Sequence, residues 1–330
     1  MKELPVVDIS AFVKPDSSFE DKEKTAKHVH KVCSEIGFFY LVGHGISDEV
    51  VNGAHTQARE FFAQPKEVKD EISIRKSPHF RGYQCLGENV TKSKRDWHEA
   101  IDLYKDVPPN DSNPIHGHNQ WPEKPENFRS FFENYDQQMD KLGRSVMRAI
   151  AMSLGLEEHY FDKYINDSYM CMRIINYPPL SDAAEQKEEN VGDSCGVHCD
   201  YGLLTFVNQD STKNALWVQD QSGEWISANP LPGSFTVNLG DMLKLWTSNL
   251  YQSTPHKVIH TNSKAQRTSI PYFFEPNFDA IISPLPLSDS LFEGKKKPEP
   301  FQPKKYGDHL TSKVLGNFTF GDTLVKKGYN

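Results

Sequence analysis

Hydrophobic and polar positions follow two different periods along the chain. In the first half the apolar residues recur every three or four positions. A stretch from roughly Glu20 to Ile36 reads as a helix. Further on, Phe128, Phe132, Tyr135, Met139, Leu142, Val146 and Ile150 mark one face of a long amphipathic helix, with Gly155 placed to end it. Two apolar runs, LPVVDIS and GFFYLVGHGI, interrupt this pattern and read as strands. After about residue 168 short β-prone runs alternate with Gly, Pro and Asn turns: MCMRIINY, YGLLTFVNQD, NALWVQD, EWISAN, GSFTVNLGDML, HKVIHTN and RTSIPYFFE. Many short strands at this spacing predict a sandwich or jelly roll rather than a parallel sheet. The acidic stretch SDAAEQKEENVGDSCG reads as a loop, Pro284 to Pro303 as a surface excursion, and Tyr306 to Phe318 as a closing helix. The expected class is α+β, mainly β. A mostly helical region, 1–165, packs on a β-core, 166–330, and the two form one structural unit.

Composition narrows the function classes. The chain has 330 residues and a formal net charge of −8, with no basic excess to neutralise phosphates, so nucleic acid is not an expected partner. No apolar stretch approaches the length of a membrane span, and the start MKELPVVDIS lacks the apolar core of a signal peptide. The 5 cysteines are scattered, none in a CxxC pair, which argues against a disulfide framework or a cysteine-bound metal. A cytoplasmic protein is expected, with a monomer as the plain reading of its oligomeric state.

One segment departs from an ordinary strand. In GVHCDYGLLTFVNQD, residues 196–210, two strong metal-ligand side chains stand two positions apart at the head of an apolar run. On a strand His198 and Asp200 project to one side while Cys199 points away, about 7 Å of backbone separating the pair. Downstream, STPHKVIHTN brings His256 and His260. Pro255 and the β-branched Val258 and Ile259 favour a strand there, on which the two histidines are too far apart to share an ion. His256, fixed by the preceding proline, is taken as ligand and His260 as structural. Two histidines and one carboxylate without cysteine are the facial triad of non-haem Fe(II) oxygenases, which leaves positions open for a co-substrate and O₂. Beyond them Arg267 and Ser269 alternate onto one strand face, where a guanidinium and a hydroxyl can grip a carboxylate. His28, His30, His116 and His118 fit ordinary structural roles, as does His44.

HCD at 198–200, His256 and RTS at 267–269, in this order, resemble the Fe(II)/2-oxoglutarate-dependent oxygenases, and most closely the isopenicillin N synthase-like branch. LPVVDIS and GFFYLVGHGI resemble that branch's opening strands, DWHE at 96–99 its DW-x-E segment, and MRIINYPP its RxNxYPP segment. The resemblance implies a double-stranded β-helix, the cupin-like jelly roll, buttressed by N-terminal helices. It implies Fe(2+) held by His198, Asp200 and His256, and 2-oxoglutarate held by Arg267 and Ser269 with Tyr177 as a further partner. O₂ would be the oxidant and ascorbate a reductant that keeps the iron ferrous. Many members carry an Asn two residues before that tyrosine. Ile175 stands there in this chain, and Asn176 faces the other way on a strand. The implied activity is oxidation, chiefly hydroxylation, of a small organic molecule with release of succinate and CO₂. Arg81, Tyr83, Phe206 and Phe273 (or its neighbour Phe274) are the candidate substrate contacts. Two alternatives remain at this point: an oxidase of the isopenicillin N synthase or aminocyclopropanecarboxylate oxidase kind that dispenses with 2-oxoglutarate, and a catalytically silent binding module. A zinc hydrolase would need a general base that no residue beside the triad supplies.

Overall fold

The computed structural model describes residues 3–91, 94–110, 113–179, 194–259, 265–292 and 297–317. Twelve strands make up its two main sheets: β1 (Val6–Asp8), β2 (Phe38–Val42), β3 (Gly82–Gln84), β4 (Glu99–Tyr104), β5 (Cys171–Tyr177), β6 (Cys195–His198), β7 (Leu204–Gln209), β8 (Leu216–Gln219), β9 (Trp225–Ser227), β10 (Phe235–Leu239), β11 (His256–Val258) and β12 (Arg267–Phe274). The larger sheet has 8 strands in the order β1-β2-β10-β7-β12-β5-β4-β3, and the smaller has 4 in the order β9-β8-β11-β6. Only the β1–β2 pair is parallel within them. The pair of sheets is the jelly-roll core expected from the strand spacing. The first half contributes more strand than its helical texture suggested, since β1 to β4 complete the larger sheet at both edges.

Each face of the larger sheet has its own apolar cover. Phe38 and Tyr40 join Ile175, Tyr177, Leu216, Val218 and Val258 in a cluster between the sheets. Their neighbours Phe39 and Leu41 pack outward with Ile101, Ile174, Phe206, Val237 and Ile270, under the helices. Burial on both faces explains why GFFYLV is a continuous apolar run without alternation. The outer cover is α1 (Phe19–Glu35), α2 (Asp48–Phe62) and above all α3 (Phe128–Ser153). All seven residues of the periodic stripe on α3 are buried, from Phe128 to Ile150. The helix stops before Gly155, whose φ of +71° is left-handed backbone that glycine adopts without strain.

Two further helices are α4 (Asp241–Trp246) and α5 (Tyr306–Asn317), and short helical turns stand at Ser10–Val13, Lys66–Asp70 and Asp162–Ile165. The Pro- and Lys-rich stretch departs from the surface excursion expected of it: Leu285, Leu287 and Phe292 are buried in the main core. The acidic stretch lies outside the described residues except for Ser194 to Gly196. No helix among the described residues is long and apolar enough to cross a membrane.

Candidate metal centre and co-substrate anchor

His198 and His256 meet because β6 and β11 are antiparallel neighbours with these two residues as direct partners in the register. Their rings lie 4.3 Å apart between centroids. Asp200 does not reach them by strand alternation. The strand ends at His198, and the chain turns so that the Asp200 carboxylate comes back beneath both rings. Asp200 Oδ1 stands 3.6 Å from His198 Nε2 and 3.7 Å from His256 Nε2. One ligand atom from each residue falls within 4.8 Å of the others, the one such cluster among the described residues.

Hydrogen bonds aim all three donors. His198 Nδ1 lies 2.8 Å from the Gly196 carbonyl and His256 Nδ1 lies 3.0 Å from the Thr254 carbonyl. A carbonyl can only accept, so each Nδ1 carries a proton and each Nε2 faces the centre. Burial works against charge on His198, but Cys195 and Asp200 push that ring up to about 10, so its Nε2 gives up a proton when a metal binds. Asp200 Oδ2 accepts from the Thr205 hydroxyl and from Asn238 Nδ2, leaving Oδ1 to face the imidazoles. Burial works against the Asp200 charge. The neighbouring His256 and His198, with Asn238 and Thr205, outweigh it and hold the carboxyl below its usual range. Burial, then His198, lowers His256 to about 4, so its ring is neutral and free to ligate at pH 7.

The turn after Asp200 is clamped from two sides. The Asp241 amide donates to the Asp200 carbonyl, and the Met242 amide to the Tyr201 and Gly202 carbonyls, so α4 begins against the turn. A Cβ on Gly202 would sit 1.6 Å from the Glu275 carboxylate, so a larger residue there would have to displace that buried side chain. Glu275 in turn accepts from the Leu203 amide, and burial pushes its carboxyl up to about 8.

Arg267 starts β12 beside Tyr177 in the register, with its guanidinium carbon 4.8 Å from the Tyr177 ring centre. Its side chain is buried, and Nη2 donates to Gln209 Oε1 at 3.2 Å. Nε and Nη1 are buried with no partner among the described residues. A fixed, desolvated guanidinium with two unclaimed nitrogens is costly unless an anion completes it, which is the role that a co-substrate carboxylate fills. Ser269 is buried one alternation further along the same strand. Asn176 points to the opposite face, donating to Glu99 Oε1 at 2.9 Å.

The substrate contacts expected from sequence fare unevenly. Arg81 is buried away from the centre, its guanidinium tied to the carbonyls of His79, Ile115 and Lys105 and to Asn119. Tyr83 packs in the outer core and its hydroxyl donates to Glu99. Phe206 is likewise in the outer core, because its neighbour Thr205 holds the inward position beside Asp200. These three expected contacts are corrected: Tyr83 and Phe206 lie on the strand face that meets the outer core, and Arg81, just before β3, is spent on backbone carbonyls. Phe274 is also in the outer core, whereas half-buried Phe273 pairs with Thr205 and shares its inward face. His44 is a structural hydrogen-bonder, its ring set between the Gly233 carbonyl and the Ile46 amide. His260 lies outside the described residues.

Strand phase also reveals residues that sequence reasoning missed. Counting back from Tyr177 by twos along β5 gives Ile175 and Arg173. Beside them on the inward face stand Asp102 of β4 and Gln84 of β3. Arg173 Nε donates to Asp102 Oδ1 at 2.7 Å, and Nη2 reaches Asn89 Oδ1 at 3.0 Å. The two-residue period of MRIINY was the available signal.

A two-sheet jelly roll in which neighbouring strands of one sheet and the turn that follows bring two histidines and a carboxylate together, beside a buried guanidinium, defines a non-haem iron oxygenase. Comparison with known proteins agrees and adds the lineage. Residues 168–276 match the 2OG-Fe(II) oxygenase superfamily, and residues 4–124 match the N-terminal family described as non-haem dioxygenase in morphine synthesis. A homoarginine-6-hydroxylase of Arabidopsis thaliana is 42% identical over 96% of this chain and 98% of its own. One from Oryza sativa subsp. japonica is 41% identical over 96% of this chain and 98% of its own. Among solved structures, a Neurospora crassa protein in complex with α-ketoglutarate and thymine superposes with a TM-score of 0.80. It is 27% identical and covers 95% of this chain and 96% of the other. The chain belongs to the Fe(II)/2-oxoglutarate-dependent oxygenase superfamily. It is an Fe(II)- and 2-oxoglutarate-dependent dioxygenase that oxidises a small organic molecule with release of succinate and CO₂.

Proposed function

We propose that the enzyme hydroxylates a free amino acid of the homoarginine kind, with Fe(II) held by His198, Asp200 and His256. The distal carboxylate of 2-oxoglutarate pairs with Arg267, assisted by Ser269 and Tyr177. The observation that carries the site is the convergence of three aimed ligand atoms within 4.8 Å, beside a buried guanidinium with two unclaimed nitrogens. Near-full-length similarity to two homoarginine-6-hydroxylases supports the substrate class.

Fe(II) with 2-oxoglutarate and O₂ supplies the oxidant that places one oxygen in a substrate C–H bond while the other leaves in succinate. The protein's own contribution is orientation. Thr205 and Asn238 keep one Asp200 oxygen from rotating, and the Gly196 and Thr254 carbonyls hold both imidazoles in one tautomer. Arg267 fixes one end of the co-substrate, and the apolar cluster between the sheets keeps water from its flank. We further propose that residues 1–165 and 166–330 work as one unit, supported by the sheet that they share. A monomeric cytoplasmic enzyme is proposed, without nucleic acid or membrane as partner and with ascorbate as reductant; the unpaired state of its five cysteines supports the compartment.

The test is direct. Purified protein with Fe(II), ascorbate, 2-oxoglutarate and homoarginine in air is expected to yield a product 16 mass units heavier and an equal amount of succinate. Succinate formation that ignores homoarginine would remove the substrate assignment.

A further inference from the structure

The polar corner around Arg173 is not used by the iron or by 2-oxoglutarate. Arg173 lies on the same strand and the same face as Tyr177, four residues away, or about 13 Å by strand rise. Hydrogen bonds link it to the strand that carries His198: Arg173 to Asn89, Asn89 to His98, and His98 to the Ser194 carbonyl just before β6. Asn89, which accepts from Arg173, also contacts His98 Nε2 at 3.1 Å, and burial, then Arg173 and later His198, keeps His98 uncharged. Cys195, whose sulfur is 3.8 Å from His198 Nδ1, is close enough to influence Arg173 as well.

Three observations single out this guanidinium. Asp102 is almost fully buried and spends one oxygen on Arg173 Nε and the other on Gln84, so the head group is aimed and held. Nε and Nη2 are satisfied, but no acceptor stands against Nη1 among the described residues. The side chain nonetheless keeps 25% of its surface accessible, on a face otherwise enclosed between two sheets. A guanidinium carries five N–H donors in a rigid plane, and here the outward pair is left for a ligand.

We propose that Arg173, positioned by Asp102, receives the α-carboxylate of the amino-acid substrate. This rests on the amino-acid reading above and deepens it. Asp102 offsets the Arg173 charge, so this pair receives an α-carboxylate that carries its own ammonium at less electrostatic cost than a lone anion; the side-chain guanidinium of homoarginine lies outside that local balance. Two guanidiniums on one sheet face thus divide the two carboxylates, Arg267 taking the co-substrate and Arg173 the substrate.

The experiment compares homoarginine with its α-carboxamide, binding to the anaerobic Fe(II)–2-oxoglutarate complex and read by calorimetry and by perturbation of the visible band. The wild type is expected to favour the acid by about 30-fold, the worth of a charge-assisted hydrogen-bonded pair. Arg173→Met should bring acid and amide within about threefold of each other while the 2-oxoglutarate band persists. The double variant Asp102→Asn, Arg173→Met removes both buried charges and guards against misfolding from an unpaired carboxylate. An undiminished preference for the acid in either variant, with the band intact, overturns the role of Arg173 and leaves the homoarginine reading standing. Failure of homoarginine to bind the wild-type complex overturns both.

Discussion

At Asp200 one carboxylate oxygen is occupied before any ligand arrives, by Thr205 and Asn238, and the other faces two imidazole nitrogens. That division of labour makes the residue irreplaceable in kind. Asp200→Ala is expected to abolish homoarginine-dependent succinate formation, measured with enzyme that keeps its fold by circular dichroism. Arg267→Ala should leave the triad in place and raise the KM for 2-oxoglutarate by about 100-fold, as loss of a buried charge-assisted pair implies. Unchanged KM in that variant would place the co-substrate elsewhere. Ligand-type residues were legible because few structural tasks need His-x-Asp followed by a second histidine and Arg-x-Ser. Arg81, Tyr83 and Phe206 were misread because aromatic and basic residues serve packing as readily as recognition. Only strand phase separates the two uses, and phase is set by pairing partners far away in sequence.

Elements carry the geometry that single residues cannot. The register of β6 against β11 places His198 opposite His256, and α4 buttresses the turn that returns Asp200 to them. Neither follows from local pattern, since both depend on partners more than forty residues apart. Helix existence was plain in the three-to-four-residue period of α3, because that face is covered along its whole length. The same helix makes a polar contact with the sheet, the Tyr272 hydroxyl donating to Asp136 Oδ1 at 2.7 Å. Burial raises the Asp136 carboxyl to about 6, against the opposing Tyr272 bond. Between pH 4 and 6 the unfolded chain has lost a proton that the folded protein keeps, so this group's stabilisation is full below pH 4 and is lost as pH rises through 6. Asp136→Asn should therefore gain on the wild type across that window, by on the order of 2 kcal/mol in urea unfolding free energy. Parallel curves for the two proteins would show the carboxyl to be unperturbed.

At the scale of the molecule the jelly roll supplies two sheets, and the centre lies where their strands face one another. Strands from the N-terminal half complete the larger sheet at both edges, β1 at one and β3 at the other, so the iron site is tied to the stability of the whole. Ligands that complete the buried Arg267 and the triad bind the folded state alone. Fe(II) and 2-oxoglutarate together, each at about 100 times its Kd, should add up to about 5 kcal/mol and raise Tm, with EDTA reversing the iron share. The measurement that reaches the centre most directly is anaerobic titration of the apoprotein with Fe(II) and 2-oxoglutarate, followed by visible absorption. A charge-transfer band that saturates at one iron per chain is expected in the wild type and should be absent in Asp200→Ala. No band in intact wild-type protein, or a full-strength band in Asp200→Ala, would contradict a single centre built from residues 198, 200 and 256.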